Sequence, residues 1–217
     1  APLTGQEVRA LELTELGSQR FLPSREIVVE GTPVRDASII LLGWACRVRH
    51  FMDGRRQILG FLLPGDLIGI CRQREPVAVT TVAALSEVVI CPAPHAEPGK
   101  GGLAEAYAVS AALEEAYLFR QIARLGRLNA CERIVDWLLE TRDRLKLAGL
   151  ECEGSFPMPL TQEVLADTLG LTSVHVNRTL QTLRRDQRIE WRNGTVRLVD
   201  PEGLAALIDY RSVLVTG

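Results

Sequence analysis

Residues 160–185 read LTQEVLADTLGLTSVHVNRTLQTLRR, two short amphipathic segments hinged at one glycine, Gly170. Thr161 can cap the first helix, where Glu163 in the first turn is favourable against the helix dipole. Val164, Leu165 and Leu169 supply its buried face. Gly170 permits a sharp turn, Leu171 plugs the corner, and Thr172 or Ser173 caps a second helix with Val176, Leu180 and Leu183 inward. This is the pattern of a helix-turn-helix. Its second helix leaves Ser173, His175, Asn177, Arg178, Gln181 and Arg184 or Arg185 outward. Short polar groups followed by arginines suit a helix lying in a DNA major groove, with its first turns against base edges.

Downstream, RIEWRNGTVRLVD (188–200) alternates across Asn193-Gly194, the residues of a type I′ turn, and predicts a two-stranded wing whose Arg192 and Arg197 can reach phosphate. From Thr172 to Arg197 there are six arginines against two acids, Asp186 and Glu190, a local charge of +4. The whole chain carries 25 basic and 27 acidic residues, a formal charge of −2, so affinity for nucleic acid has to come from such clustering. Helix pairs of this kind also occur as plain αα corners in enzymes. The hairpin and the one-sided charge favour the DNA reading.

The 217 residues, 47 % of them hydrophobic, suffice for one large domain or two small ones. LTGQEVRALELTEL (3–16) has helical spacing. From Phe21 to about Pro94, short β-branched or apolar runs are punctuated by Gly31, Pro33, Gly43, Asp53-Gly54 and PGD at 64–66, the texture of a sandwich, jelly roll or barrel. After EPGKGG (97–102) the period becomes helical. Tyr107, Ala111, Leu118, Ile122 and Leu125 form the seam expected of a dimerisation helix, with Glu114 on the same stripe; packing on the β domain is the competing use of that face. Asn129 with Glu132 forms a capping-box pattern, so the chain should bend at 126–129 before a helix with Ile134, Trp137, Leu138 and Leu145 inward. GLECEGSFPMP (149–159) reads as a turn-rich connection. The expected fold is α+β: a cupin-like β-roll (double-stranded jelly roll) over 1–100, a dimerisation helix over 101–128 and a winged helix-turn-helix over 129–217.

Five cysteines without a CxxC pair argue against a disulfide framework, zinc ribbon or cluster site and fit a reducing cytoplasm. No apolar run approaches the roughly 20 residues that span a bilayer, and the first residues lack a signal-peptide pattern. A soluble, cytoplasmic protein is expected.

Together these features resemble the Crp/Fnr family of bacterial transcription regulators over nearly the whole chain. GWACRVRHFMDGRRQILGFLLPGDLIG (43–69) is similar to the family's β-roll core, LGRLNACERIVDWLLE (125–140) to its hinge and first DNA-domain helix, and LTQEVLADTLGLTSVHVNRTL to its helix-turn-helix. The resemblance implies a homodimer on a palindromic operator, with recognition helices about 34 Å apart. It also implies activation by touching RNA polymerase, with loop 149–157 at one such contact surface. Arg178 matches the family arginine that reads guanine. Val174 stands where well-known members carry a glutamate that accepts from cytosine; valine cannot accept, but it can touch a thymine methyl. Thr172, Ser173, His175 and Asn177 complete the DNA-facing set, with Gln162 and Arg185 as phosphate contacts.

Cyclic-nucleotide-binding members follow GDxxG with a glutamate and later carry an Arg-Ser/Thr-Ala triplet. Here GDLIG precedes Ile70, and QREPVAVTTVAAL (73–85) has apolar residues or threonine at the triplet, which argues against cyclic AMP. Arg72 and Arg74 are weak candidates for another anionic effector. No cysteine precedes Cys46, which argues against the iron-sulfur cluster of oxygen-sensing relatives. His50 and His95, with Cys46 and Cys71, are the only axial-ligand options for haem, and each histidine reads more simply as a surface residue. No cofactor is therefore expected; thiol oxidation at Cys71 or Cys152 stays open, as does an unidentified effector or none. The rival class is a cupin-type small-molecule or metal-binding protein or enzyme, but the paired histidines and other catalytic motifs are missing. In the regulator reading, repacking along the long helix re-aims the recognition helices through the hinge.

Overall fold

The computed structural model describes residues 2–34, 36–69, 75–97 and 99–215. The chain divides into two compact units, one built mainly from Ala1–Arg49 and Phe61–Tyr117, the other from His50–Gly60 and Leu118–Val213.

In the first unit, Thr4 caps α1 (Gly5–Thr14) through a capping box in which Glu7 reaches back to the Thr4 amide at 2.7 Å. Glu7 also accepts from the Leu103 amide at 2.8 Å, so one carboxylate serves the starts of both α1 and the long helix α2 (Gly101–Arg127). The backbone donors at Thr4 and Leu103 hold the Glu7 carboxyl below its usual range. Gly101 sits at φ +79, and a Cβ there would lie 2.5 Å from Glu7 Oε1.

The described residues between these helices form β1 (Gln19–Phe21), β2 (Glu26–Val28), β3 (Ser38–Leu42), β4 (Ala45–His50), β5 (Arg56–Leu62), β6 (Leu67–Ile68), β7 (Thr81–Ala84) and β8 (Val88–Pro92). They make two four-stranded sheets, β1-β8-β3-β6 and β2-β7-β4-β5. Ile40, Ile68, Val88 and Ile90 of one sheet share a core with Ala45, Leu62, Val82 and Ala84 of the other, the β-roll the turn pattern predicts. Gly43, at φ +86, turns β3 into β4 where a Cβ would strike the Glu87 carbonyl. Two α2 side chains turn back onto this unit. Tyr107 donates to the Pro94 carbonyl at 2.9 Å, and Glu114 pairs with Arg47 of β4. Hydrogen-bonding partners on the β strands and loops thus claim both side chains of that stripe.

The second unit contains the end of α2, α3 (Ala130–Leu147), β9 (Ser155–Pro157), α4 (Gln162–Leu169), α5 (Ser173–Arg185), β10 (Ile189–Arg192), β11 (Thr195–Leu198) and α6 (Pro201–Leu207). The Asn129 box caps α3 as expected. The bend is confined to Leu128 and Asn129, since Gly126 remains helical. β9 pairs with β11, Val196 opposite Phe156, so the wing is three-stranded where two strands were expected. The tip of the β4–β5 hairpin, Asp53-Gly54 included, groups with this unit, and only Gly54 takes positive φ in its turn. Arg56 pairs with Asp167, and Gln57 donates to the Thr168 carbonyl at 3.1 Å.

The unit's core holds an ionic cluster. Arg124, 2 % exposed, donates to Asp136 at 2.7 Å, to Glu140 at 2.6 Å and to Gln121 Oε1 at 2.6 Å. Gln121 in turn donates to the Thr168 carbonyl at 2.7 Å. Arg120 adds a bond to Asp136 at 3.2 Å, stacks on Tyr210 at 4.2 Å and donates to the Arg211 carbonyl. Two guanidiniums therefore neutralise two carboxylates. Arg124→Ala, which strands Asp136 and Glu140, should destabilise this unit by about 3–5 kcal/mol, read by urea denaturation followed by circular dichroism.

Candidate nucleic-acid interface

Local chemistry sets α4 and α5. Thr161 Oγ1 accepts from the Val164 amide at 3.2 Å, and Thr172 Oγ1 from the His175 amide at 3.2 Å, so Thr172 rather than Ser173 is the second cap. Gly170 closes α4 in the left-handed conformation, φ +62, with its amide bonded to Ala166 O. A Cβ there would meet nothing closer than 3.5 Å, so conformation, not space, demands the glycine. Arg133 ties the corner together: it donates to the carbonyls of Leu125, Leu128 and Leu169 at 2.8 to 2.9 Å.

Val176, Leu180 and Leu183 are buried, which fixes the rotation of α5. Ser173, Val174, Arg178, Gln181, Arg184 and Arg185 are exposed, and Val174, apolar yet 79 % exposed, stands in the middle of that face. His175 and Asn177 are half-buried. Residues two apart on a helix point roughly 160° apart, so Asn177 lies between Ser173 and Gln181, while His175 lies beyond Arg178 at the other edge of the exposed face. Asn177 Nδ2 donates to Gln162 Oε1 at 2.8 Å, a pairing of the two helices that the sequence pattern does not signal.

In the wing, Asn193 at φ 50 and Gly194 at φ 70 supply the two positive φ angles of a type I′ turn. Acids temper part of the basic cluster: Arg185 pairs with Asp186 at 3.1 Å, Arg188 with Asp200 at 3.5 Å and Arg197 with Glu190 at 3.9 Å. Among the described residues, Arg178, Arg184 and Arg192 make no ion pair.

On α2, Ala111, Leu118 and Ile122 of the expected seam are exposed, and Ile122 shows 68 % of its surface. Phe119, 62 % exposed and outside the 3- and 4-residue stripe, joins them. Leu125 instead turns inward, its Cδ2 3.5 Å from where a Gly170 Cβ would stand.

The effector candidates Arg72 and Arg74, together with Ile70 and Cys71, lie outside the described residues. His50 and His95 are exposed, Cys46 and Cys91 buried, Cys131 and Cys152 exposed. Although Cys131 is exposed, partial desolvation of its sulfur by the surrounding protein, with the Glu132 and Asp186 carboxylates nearby, pushes its thiol up, against thiolate chemistry there. No group of three His, Cys, Asp or Glu among the described residues is placed to hold a metal ion. No helix among them is long and apolar enough to cross a membrane.

Known proteins share this arrangement. Residues 18–97 match the cyclic nucleotide-binding domain family, and residues 132–207 the Crp-like helix-turn-helix domain family. The chain is 30 % identical to the nitrogen fixation regulation protein FixK of Bradyrhizobium diazoefficiens, covering 94 % of this chain and 87 % of that one. It is 31 % identical to the transcriptional activator protein FnrL of Cereibacter sphaeroides, covering 90 % and 75 %. The chain belongs to the Crp/Fnr family of transcription regulators. In fold, this Crp/Fnr regulator is also similar to the solved FixK2 of Bradyrhizobium japonicum, with TM-score 0.75 at 23 % identity over 92 % of this chain and 98 % of that one. Its parts are those of the family: a β-roll, a long helix and a helix-turn-helix whose first and second helices here are α4 and α5.

Because the Thr172 hydroxyl is the only side-chain cap at the start of α5, Thr172→Ala should cost about 1 kcal/mol of stability, measured as a lowered urea midpoint.

Proposed function

We propose that this Crp/Fnr regulator acts as a homodimer on a palindromic operator, reading DNA with α5 and activating transcription through contact with RNA polymerase. One observation carries the reading: the exposed, uncompensated Arg178 on a helix whose rotation is fixed by three buried aliphatic residues. Arg178 presents a planar fork to guanine O6 and N7, and Val174 offers its methyls to a thymine. Ser173 lies on the same side, Thr172 holds the helix start, and His175 flanks Arg178. Arg185, Arg192 and Arg197 contribute phosphate attraction, which positions the helix without reading sequence.

Dimerisation follows from the cost of leaving Leu118, Phe119 and Ile122 in water on one helix face; pairing with the same face of a second α2 removes that surface. The polymerase contact is supported by the activator names of relatives such as FnrL, and exposed Leu147, just before the 149–157 stretch, and Leu150, within it, offer apolar surface for it. Such a protein works in the cytoplasm, where the DNA is. We assign it no cyclic AMP or haem role. Ile70 cannot bond a ribose, and His50 and His95 are exposed. An anionic effector would fall to Arg72 and Arg74.

Selection of binding sites from random duplex DNA, at near-physiological salt with no effector added, should recover a palindrome; no enrichment with or without candidate effectors refutes the reading. Arg178→Ala should cost about 1–3 kcal/mol at the selected site and relax preference at one base pair, whereas equal loss on random DNA would make Arg178 a phosphate contact. Ile122→Asp should yield a monomer by sedimentation and abolish operator binding.

A further inference from the structure

The Gln162–Asn177 hydrogen bond joins the first residue of α4 to the side of α5 that faces outward between Ser173 and Gln181. A primary amide has two donors and one acceptor oxygen. With one Nδ2 proton given to Gln162 Oε1, Asn177 keeps its second proton and Oδ1. That remaining donor and acceptor match N7 and the N6 amino group of adenine in the major groove. The tie also takes the freedom out of Asn177: a free asparagine would have to surrender its rotamers and amide orientation on binding, and this one is already held. The burial pattern agrees, since Asn177 and Gln162 are half-covered while Ser173, Val174, Arg178 and Gln181 are exposed.

We propose that Gln162 is a positioning residue that presets Asn177 to read an adenine, at a base pair distinct from the guanine of Arg178. Gln162 then serves more than the phosphate contact its location suggests, and Asn177 is a specificity-determining residue. The proposal rests on α5 being the recognition helix.

The test compares site selection, followed by titration of the selected duplex and its single base-pair variants, for the full-length wild type, Gln162→Ala, Gln162→Glu and Asn177→Ala. The wild type should prefer adenine at one position by roughly five- to a hundredfold. Asn177→Ala should erase that preference and leave the guanine preference intact. Gln162→Ala should weaken the adenine preference selectively, while Gln162→Glu, whose carboxylate still accepts the Nδ2 proton, should retain it even if overall affinity falls. If Gln162→Ala lowers affinity equally on every sequence, Gln162 is a phosphate contact only and the positioning role is overturned. If Asn177→Ala leaves every base preference unchanged, the adenine reading is overturned. A wild type that enriches no motif fails at an earlier step, the recognition-helix reading itself.

Discussion

The second unit is organised around one buried cation. A guanidinium with 2 % of its side chain in water is tolerable only with its charge matched and its protons taken up, and Arg124 meets both conditions. Asp136 and Glu140, one turn apart on α3, accept hydrogen bonds from its fork, and Gln121 Oε1 accepts another while its amide donates to the Thr168 carbonyl of α4. Apolar faces can slide past one another at modest cost; a planar fork satisfied at fixed distances cannot. The rotation of α2 about α3 is thereby specified, and so is the placement of α4, against which α5 packs.

Such a cluster is weak evidence for added stability, because an apolar replacement of matching volume is often neutral or better. Its value lies in orientation. The break between α2 and α3 is only Leu128 and Asn129, and Arg133 binds carbonyls on both sides of the corner, Leu125 and Leu128 before it and Leu169 at the end of α4. A change in the aim of α5 relative to α2 must therefore break or exchange these bonds as a set. That favours discrete alternatives over a continuum, and an effector could select between them only through a difference in its own affinity for each.

What the amino-acid sequence made legible follows from how local each determinant is. The helix-turn-helix was readable because Thr161, Gly170, Thr172 and the Asn129–Glu132 box act within four residues of themselves. The roll was readable as a class, but not in its pairing order: that β1 lies beside β8 depends on partners about 70 residues apart. β9 escaped because Pro157 and Pro159 mark a connection, and only the edge of β11 makes a strand of it. α6 carries a local signal, Asp200 as cap with Pro201 at the first position. α2 is apolar on two sides, and spacing cannot tell that Tyr107 and Leu125 turn inward while Phe119 turns out. Arg124 was invisible for the same reason, since its partners stand 12 and 16 residues further on.

The interface shows a similar division between what attracts and what discriminates. Half of the arginines from Thr172 to Arg197 already have an acid within 4 Å, which lowers their net pull on any polyanion. Val174 adds no charge at all, and Asn177 and Ser173 none. Non-specific attraction, carried by phosphate contacts and sensitive to salt, is thus kept moderate, while the proposed base-reading groups stand on a helix that is capped by Thr172, packed through Val176, Leu180 and Leu183 and, at Asn177, hydrogen-bonded to Gln162. A regulator must find its operator among a vast excess of other sequence, and the ratio of specific to non-specific affinity decides occupancy. The arginines paired with Asp186, Glu190 and Asp200 would pull on every sequence alike, so tempering them lowers specific and non-specific affinity together, and in the proposed reading the ratio has to come from Val174, Asn177 and Arg178.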